Sequence, residues 1–162
     1  MISNGTIYDG SGSKPYVGSL AIKDDKIIYV GESTDFQADT VIDATDLAVS
    51  PGFINMLSWG YNSLMDDGRA LSDLKQGVTL EIFGEGTSPG PYWKDGKFTS
   101  FGEAMTMLEE KGVSVNIGSF LGAATTRILE VGYKNRQATP SEMERMRGHV
   151  KNSMKEGAMG IG

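Results

Sequence analysis

A chain of 162 residues can hold one ordinary domain with a core of useful size. Its 15 lysines and arginines against 21 aspartates and glutamates leave a formal charge of -6, which argues against a nucleic acid or an anionic membrane as partner. With no cysteine there is no disulfide framework, thiolate metal site or thiol nucleophile.

No run approaches the length of an apolar membrane span, and the N-terminus lacks the basic and apolar regions of a signal peptide. Together these features predict a cytoplasmic protein that no membrane holds. The 22 glycines are about twice the usual share of roughly 7% and form no low-complexity tract. They are punctuation between elements.

The first fifty residues read as short strands. Segments 17–22 and 26–30 flank Asp24-Asp25, a turn-tolerant pair, and predict a hairpin closed by Gly31. A further apolar run over 40–49 leads into Ser50-Pro51-Gly52. Residues 1–50 therefore form a small β unit.

From Pro51 the rhythm changes to strand candidates alternating with helical segments, at 52–58, 78–84, 113–120 and 158–162. Gly77, Gly112 and Gly157 each precede such a strand, where a helix C-terminus needs a left-handed residue. Two helix starts carry capping-box spacing: Ser100 with Glu103, and Thr139 with Glu142, the second with Pro140 at the first helical position. Met143, Met146, Val150 and Met154 recur at steps of three and four, which predicts an amphipathic helix lying on a sheet.

Four βα-type units after a β unit make an α/β chain. It is either an open doubly wound sheet or the first part of a (β/α)8 TIM barrel. Eight barrel strands need roughly 250 residues, and residues 51–162 cover about half of that. A chain that stops on a parallel strand leaves that strand half covered, so the expectation is an incomplete barrel.

Most signature motifs are absent. Gly10-Ser11-Gly12-Ser13-Lys14 has no strand-to-helix setting for phosphate. The single histidine, His149, sits at the edge of the methionine stripe and reads as a surface or boundary residue. One histidine and no cysteine cannot build a transition-metal site of nitrogen and sulfur ligands, or a Ser-His-Asp arrangement.

The informative stretch is Ser50-Pro51-Gly52-Phe53-Ile54-Asn55-Met56-Leu57-Ser58-Trp59. It resembles the start of the first barrel strand in the amidohydrolase superfamily, where Pro-Gly-Phe-Ile-Asp leads to a metal-binding His-x-His pair. The opening Asn4 to Gly10 and the segment Val41-Ile42-Asp43-Ala44 also resemble that superfamily, and Gly77-Val78-Thr79, Phe120-Leu121-Gly122 with Thr125 and Arg127, and Met154 to Gly160 are similar to its D-aminoacylases, the N-acyl-D-amino-acid deacylases. The likeness covers the whole chain. It implies a small N-terminal β-sandwich-like domain over 1–50 and the first half of a metal-dependent hydrolase barrel over 51–162.

Leu57 and Trp59 stand where that family has its two histidines, and Asn55 replaces the usual aspartate. Strand alternation predicts 55, 57 and 59 on one face, so the first strand offers no metal ligand. The family's second strand ends with a cysteine that helps to hold a single zinc. The matching region here, Ile82-Phe83-Gly84-Glu85-Gly86, carries Glu85, whose oxygen suits zinc and whose alternative is a solvated loop acid.

Glu81 falls on the same strand face and needs a partner or a proton in the barrel interior. Arg127 could meet a substrate carboxylate or lie on a helix surface. Trp59 could stack on substrate or plug the vacated metal position. The glycine-rich loop 85–96, with Tyr92 and Trp93, is a candidate substrate loop.

The resemblance implies hydrolysis of an N-acyl-D-amino acid or related amide by zinc-activated water, with catalytic groups beyond Gly162. The isolated chain is then expected to be inactive, to bind zinc poorly, and to self-associate through an open barrel edge. The competing reading is a metal-free homologue that serves as a binding or assembly scaffold.

Overall fold

A computed structural model describes residues 1–32 and 35–162, which divide into two compact units, Met1–Pro51 and Gly52–Gly162. In the first unit, β1 (Ile2–Ile7) runs antiparallel to β2 (Tyr16–Lys23), and β2 antiparallel to β3 (Lys26–Gly31). The hairpin between β2 and β3 turns at Asp24, whose φ of 56° is a conformation that aspartate tolerates better than most residues. The apolar run over 40–49 is not one strand. It makes two short ones, β4 (Ile42–Asp43) and β5 (Ala48–Val49), each parallel to β1 and separated by a left-handed Asp46. Alternation along β1 sends Ser3, Gly5 and Ile7 inward.

The second unit is α/β. Its sheet orders β6 (Phe53–Asn55), β7 (Val78–Phe83) and β10 (Asn116–Ser119) with β7 central, all parallel. Glu81, Ile82 and Phe83 are buried in succession, as a central parallel strand covered on both faces requires. The crossover from β6 to β7 carries the short helices α1 (Tyr61–Asp66) and α2 (Leu71–Leu74). From β7 to β10 the chain passes through a hairpin, β8 (Tyr92–Lys94) with β9 (Lys97–Thr99), and helix α3 (Phe101–Lys111). Helices α4 (Ala123–Val131) and α5 (Pro140–Lys155) follow β10.

Both predicted capping boxes form: Ser100 accepts from the Glu103 N–H and Thr139 from the Glu142 N–H, each glutamate answering its cap residue. Gly77, Gly112 and Gly157 all take positive φ, at 80°, 75° and 98°. The core gathers Leu64, Ala70, Phe83, Leu108 and Val115, with Tyr61, Met65, Val113 and Ile117 packed around them.

Two expectations change. Segment 158–162 is a single parallel bridge from Ile161 to Leu121, supported by bonds from Met159 N to Ser119 O and from Gly162 N to Leu121 O. It lies beside the end of β10 without reaching strand length. Helix α5 packs on α4, not on a sheet, and leaves Met143 exposed. Its contact uses polar groups: Glu130 of α4 accepts from the Arg145 guanidinium and pairs with His149 Nε2 at 2.7 Å. Burial pushes the Glu130 carboxyl up, but those two partners outweigh it and hold it below its ordinary value. His149 also lies 6.0 Å from the Phe98 ring, so the lone histidine joins α5 to α4 and β9.

Candidate active site

Chemistry in open and closed α/β sheets collects at the C-terminal strand ends, and here β6 and β7 meet there in an unplanned way. Strand β6 stops at Asn55, whose Oδ1 accepts from the Leu57 N–H at 3.2 Å and turns the chain. Alternation therefore does not extend to 57 and 59. Leu57 and Trp59 are 52% and 67% exposed, and Trp59 plugs no interior position.

The chain rejoins the sheet at Ser58, whose N–H bonds to Ile82 O at 2.9 Å. Ser58 is thus the residue aimed at the interior, and its Oγ donates to Glu81 Oε2 at 2.5 Å. Glu81 is 2% exposed, and this serine is the partner that its burial demanded. The Gly60 N–H closes the group by donating to Ser58 Oγ at 3.1 Å. A Cβ at Gly60 would stand 2.8 Å from Glu81 Oε2, so glycine lets the turn lie over the carboxylate.

Ser58 borders a cleft of about 490 Å³ whose walls include Trp59, Tyr61, Phe83, Ser88 and Lys94, whereas Glu81 borders a separate one of about 360 Å³ together with Ser58, Asn55 and Gly60. Burial pushes the Tyr61 phenol up, with a smaller push from Tyr92. The phenol ring packs edge-on against Phe83 at 6.5 Å.

The glycine-rich loop forms one wall through Thr87, Ser88, Pro89, Tyr92 and Lys94. It is pinned by Ser88, whose N–H donates to Thr125 Oγ1 at 2.8 Å and whose Oγ donates to Gly90 O at 2.6 Å. The loop ends as the β8–β9 hairpin, and Trp93 leans away from the cleft onto Phe98, 5.3 Å between centroids.

The other candidates separate. Trp59 lines the cleft. Glu85 lies just past the end of β7 and is exposed, while its carbonyl accepts from Thr87 N. Arg127 stands on α4, where its Nη2 donates to the carbonyls of Lys134 and Arg136 at 3.1 and 2.6 Å and ties down the loop after the helix. Among the described residues no three His, Cys, Asp or Glu side chains gather closely enough to hold a metal ion. Glu85 could contribute a single oxygen, so the donors in these residues do not fit a zinc site of three or four ligands.

Sequence reasoning missed Ser58 and Tyr61. Glu81 was the available signal: a carboxylate on a buried strand face needed a partner, which the sequence left unnamed and the structure supplies as Ser58.

No protein-family model matches the chain. D-aminoacylase of Alcaligenes xylosoxydans xylosoxydans is 27% identical to it over 99% of this chain and 36% of that protein. A crystal structure of D-aminoacylase, described as defining a novel subset of amidohydrolases, superposes with a TM-score of 0.87 at 24% identity, over 99% of this chain and 37% of the other. N-acyl-D-glutamate deacylase of Bordetella bronchiseptica, solved with zinc and a phosphonate mimic of the tetrahedral intermediate, matches with a TM-score of 0.86 at 21% identity, over 99% and 37% of the two chains. The chain spans about a third of the length of the curated full-length relatives that it matches. In sequence and in fold the chain is similar to the D-aminoacylases, and it corresponds to the N-terminal part of those longer proteins.

Proposed function

We propose that these residues are the N-terminal part of an amide hydrolase whose substrate is an N-acyl-D-amino acid or a closely related amide. The β domain would span residues 1–50, and residues 51–162 would be the first half of a (β/α)8 barrel. The observation that carries this reading is the match to D-aminoacylase across 99% of the chain in both sequence and fold. The cleft supports it, because it opens at strand C-terminal ends and mixes aromatic walls with hydroxyl groups.

Zinc in the longer protein would draw its ligands chiefly from outside these residues, with Glu85 adding one oxygen. Phe53 and Ile54, exposed on the β6 edge, would be covered by further strands or by a second copy. Leu57 and Trp59 at the positions of the family's two histidines favour one alternative, a metal-free scaffold that binds small amides without cleaving them.

The test is amine release from N-acetyl-D- and N-acetyl-L-amino acids by the protein at its natural length. Preferential cleavage of the D series is expected. A folded protein that binds the D series without cleaving it would establish the scaffold, and indifference to both series would refute the two readings together.

A further inference from the structure

The lone histidine stands where three elements meet. His149 of α5 bonds through Nε2 to Glu130 Oε1 of α4 at 2.7 Å, and its ring lies 6.0 Å from that of Phe98 on β9, tilted by 31°. Phe98 is the cross-strand partner of Trp93. Alternation puts these two rings on the back of the β8–β9 hairpin, with Tyr92 and Lys94, which border the 490 Å³ cleft, on its front. We propose that His149 is a pH-sensitive latch for this hairpin: its protonated ring holds the hairpin to α4 and α5, and its neutral ring releases that wall of the cleft.

Two contacts strengthen together when the ring gains its proton. The hydrogen bond to Glu130 becomes an ion pair, and Phe98 receives a cation within reach of its aromatic face. The His149 and Glu130 side chains are 20% and 11% exposed, so water and salt screen the pair weakly. The back of the hairpin is otherwise loosely packed. A gap of about 340 Å³ lies between Trp93 and the α4 residues Thr125, Ile128 and Leu129, and Trp93 is 62% exposed.

The charged groups around the ring set the pH window. From α4 the Glu130 carboxylate faces it. On α5 itself Arg145, one turn earlier, donates to the other Glu130 oxygen, a bond that does not depend on the histidine. From β9 the neighbour is the uncharged Phe98 ring. Burial pushes the Glu130 carboxyl up, yet Arg145 and His149 hold it below its ordinary value of 4.5, so this acceptor is lost only under more acid conditions. Histidine side chains change charge between about pH 5 and 8. The latch is therefore closed on the acid side of that range and open on the alkaline side.

The test is hydrogen–deuterium exchange without substrate, read by mass spectrometry on peptides covering 92–99, in the natural-length protein and in His149→Gln. Glutamine keeps a donor for Glu130 but never carries the charge. Taking the ratio of variant to wild-type exchange at each pH cancels the intrinsic pH dependence of the amides. A ratio of roughly fivefold is expected at about pH 5.5, falling to about one at about pH 8.5.

Equal ratios at the two pH values, or a rise at acid pH shared by the central strand 78–83, overturn the proposal. If His149→Gln does not fold, Phe98→Leu, which takes the ring away from the charge, decides by the same ratios. Because no substrate is present, the deacylase reading stands or falls separately.

Discussion

Replacing Gly84 by alanine puts a methyl group where the ends of β7 and β10 meet. Gly84 has φ of 100°, and a Cβ there would lie 2.0 Å from the Phe120 carbonyl oxygen and 2.6 Å from its carbon. Both are backbone atoms, so no side-chain rotation relieves the contact. Relief requires moving a strand end that is held by the bond from Phe120 N to Phe83 O at 2.9 Å.

Gly86, two residues on, provides the control. Its φ is 72°, but nothing stands within 4 Å of an added Cβ. Alanine at 86 should cost only the left-handed penalty of about 1–2 kcal/mol. Alanine at 84 adds overpacking of about 1–3 kcal/mol, for a total of roughly 2–5 kcal/mol. Urea unfolding followed by far-ultraviolet circular dichroism measures both, with the m-value checked for constancy. Equal losses at 84 and 86, or a smaller loss at 84, would refute the packing of β7 against β10 described above.

Other expectations follow from single contacts. Leu108→Ala empties a fully buried site against Phe83 and Val115 and should cost about 2–5 kcal/mol in the same assay. Thr139→Ala removes the acceptor for the Glu142 N–H at 3.3 Å and should cost about 1 kcal/mol. Arg136, and then the Thr139 N–H, hold the Glu142 carboxyl below its ordinary value of 4.5. Its stabilising contribution is therefore present above that pH and fades as pH falls below it, and Glu142→Gln should flatten the acid limb of a stability-versus-pH curve. A steeper acid limb in that variant would contradict this assignment. Calorimetric titration of residues 1–162 with zinc should show binding weaker than micromolar, because three further ligands are needed beside Glu85; tight equimolar binding would overturn it.

What the sequence disclosed divides by range. The capping boxes at Ser100 and Thr139 and the left-handed glycines at 77, 112 and 157 were legible because each depends on residues within a few positions. The β2–β3 hairpin was legible for the same reason. The methionine stripe was real as a period but misassigned as a surface, because Glu130, Arg145 and His149 place α5 on α4 and a spacing pattern does not name what it faces. At the candidate site the failure was one of register. Alternation presumes an unbroken strand, and the Asn55 side chain ends β6 by capturing the Leu57 N–H. That local hydrogen bond moves Ser58 to Glu81 and leaves Leu57 and Trp59 in the open, an outcome that period-two reasoning could not reach.

The central claim is that an amide substrate sits in the cleft at the C-terminal ends of β6 and β7. Crystals of the natural-length protein soaked with a phosphonate analogue of an N-acyl-D-amino acid test it most directly. The account predicts the phosphonate against Ser58 and Tyr61, with the acyl group among Trp59, Phe83 and Met65. An analogue bound at high occupancy elsewhere, with this cleft left to solvent, would contradict it.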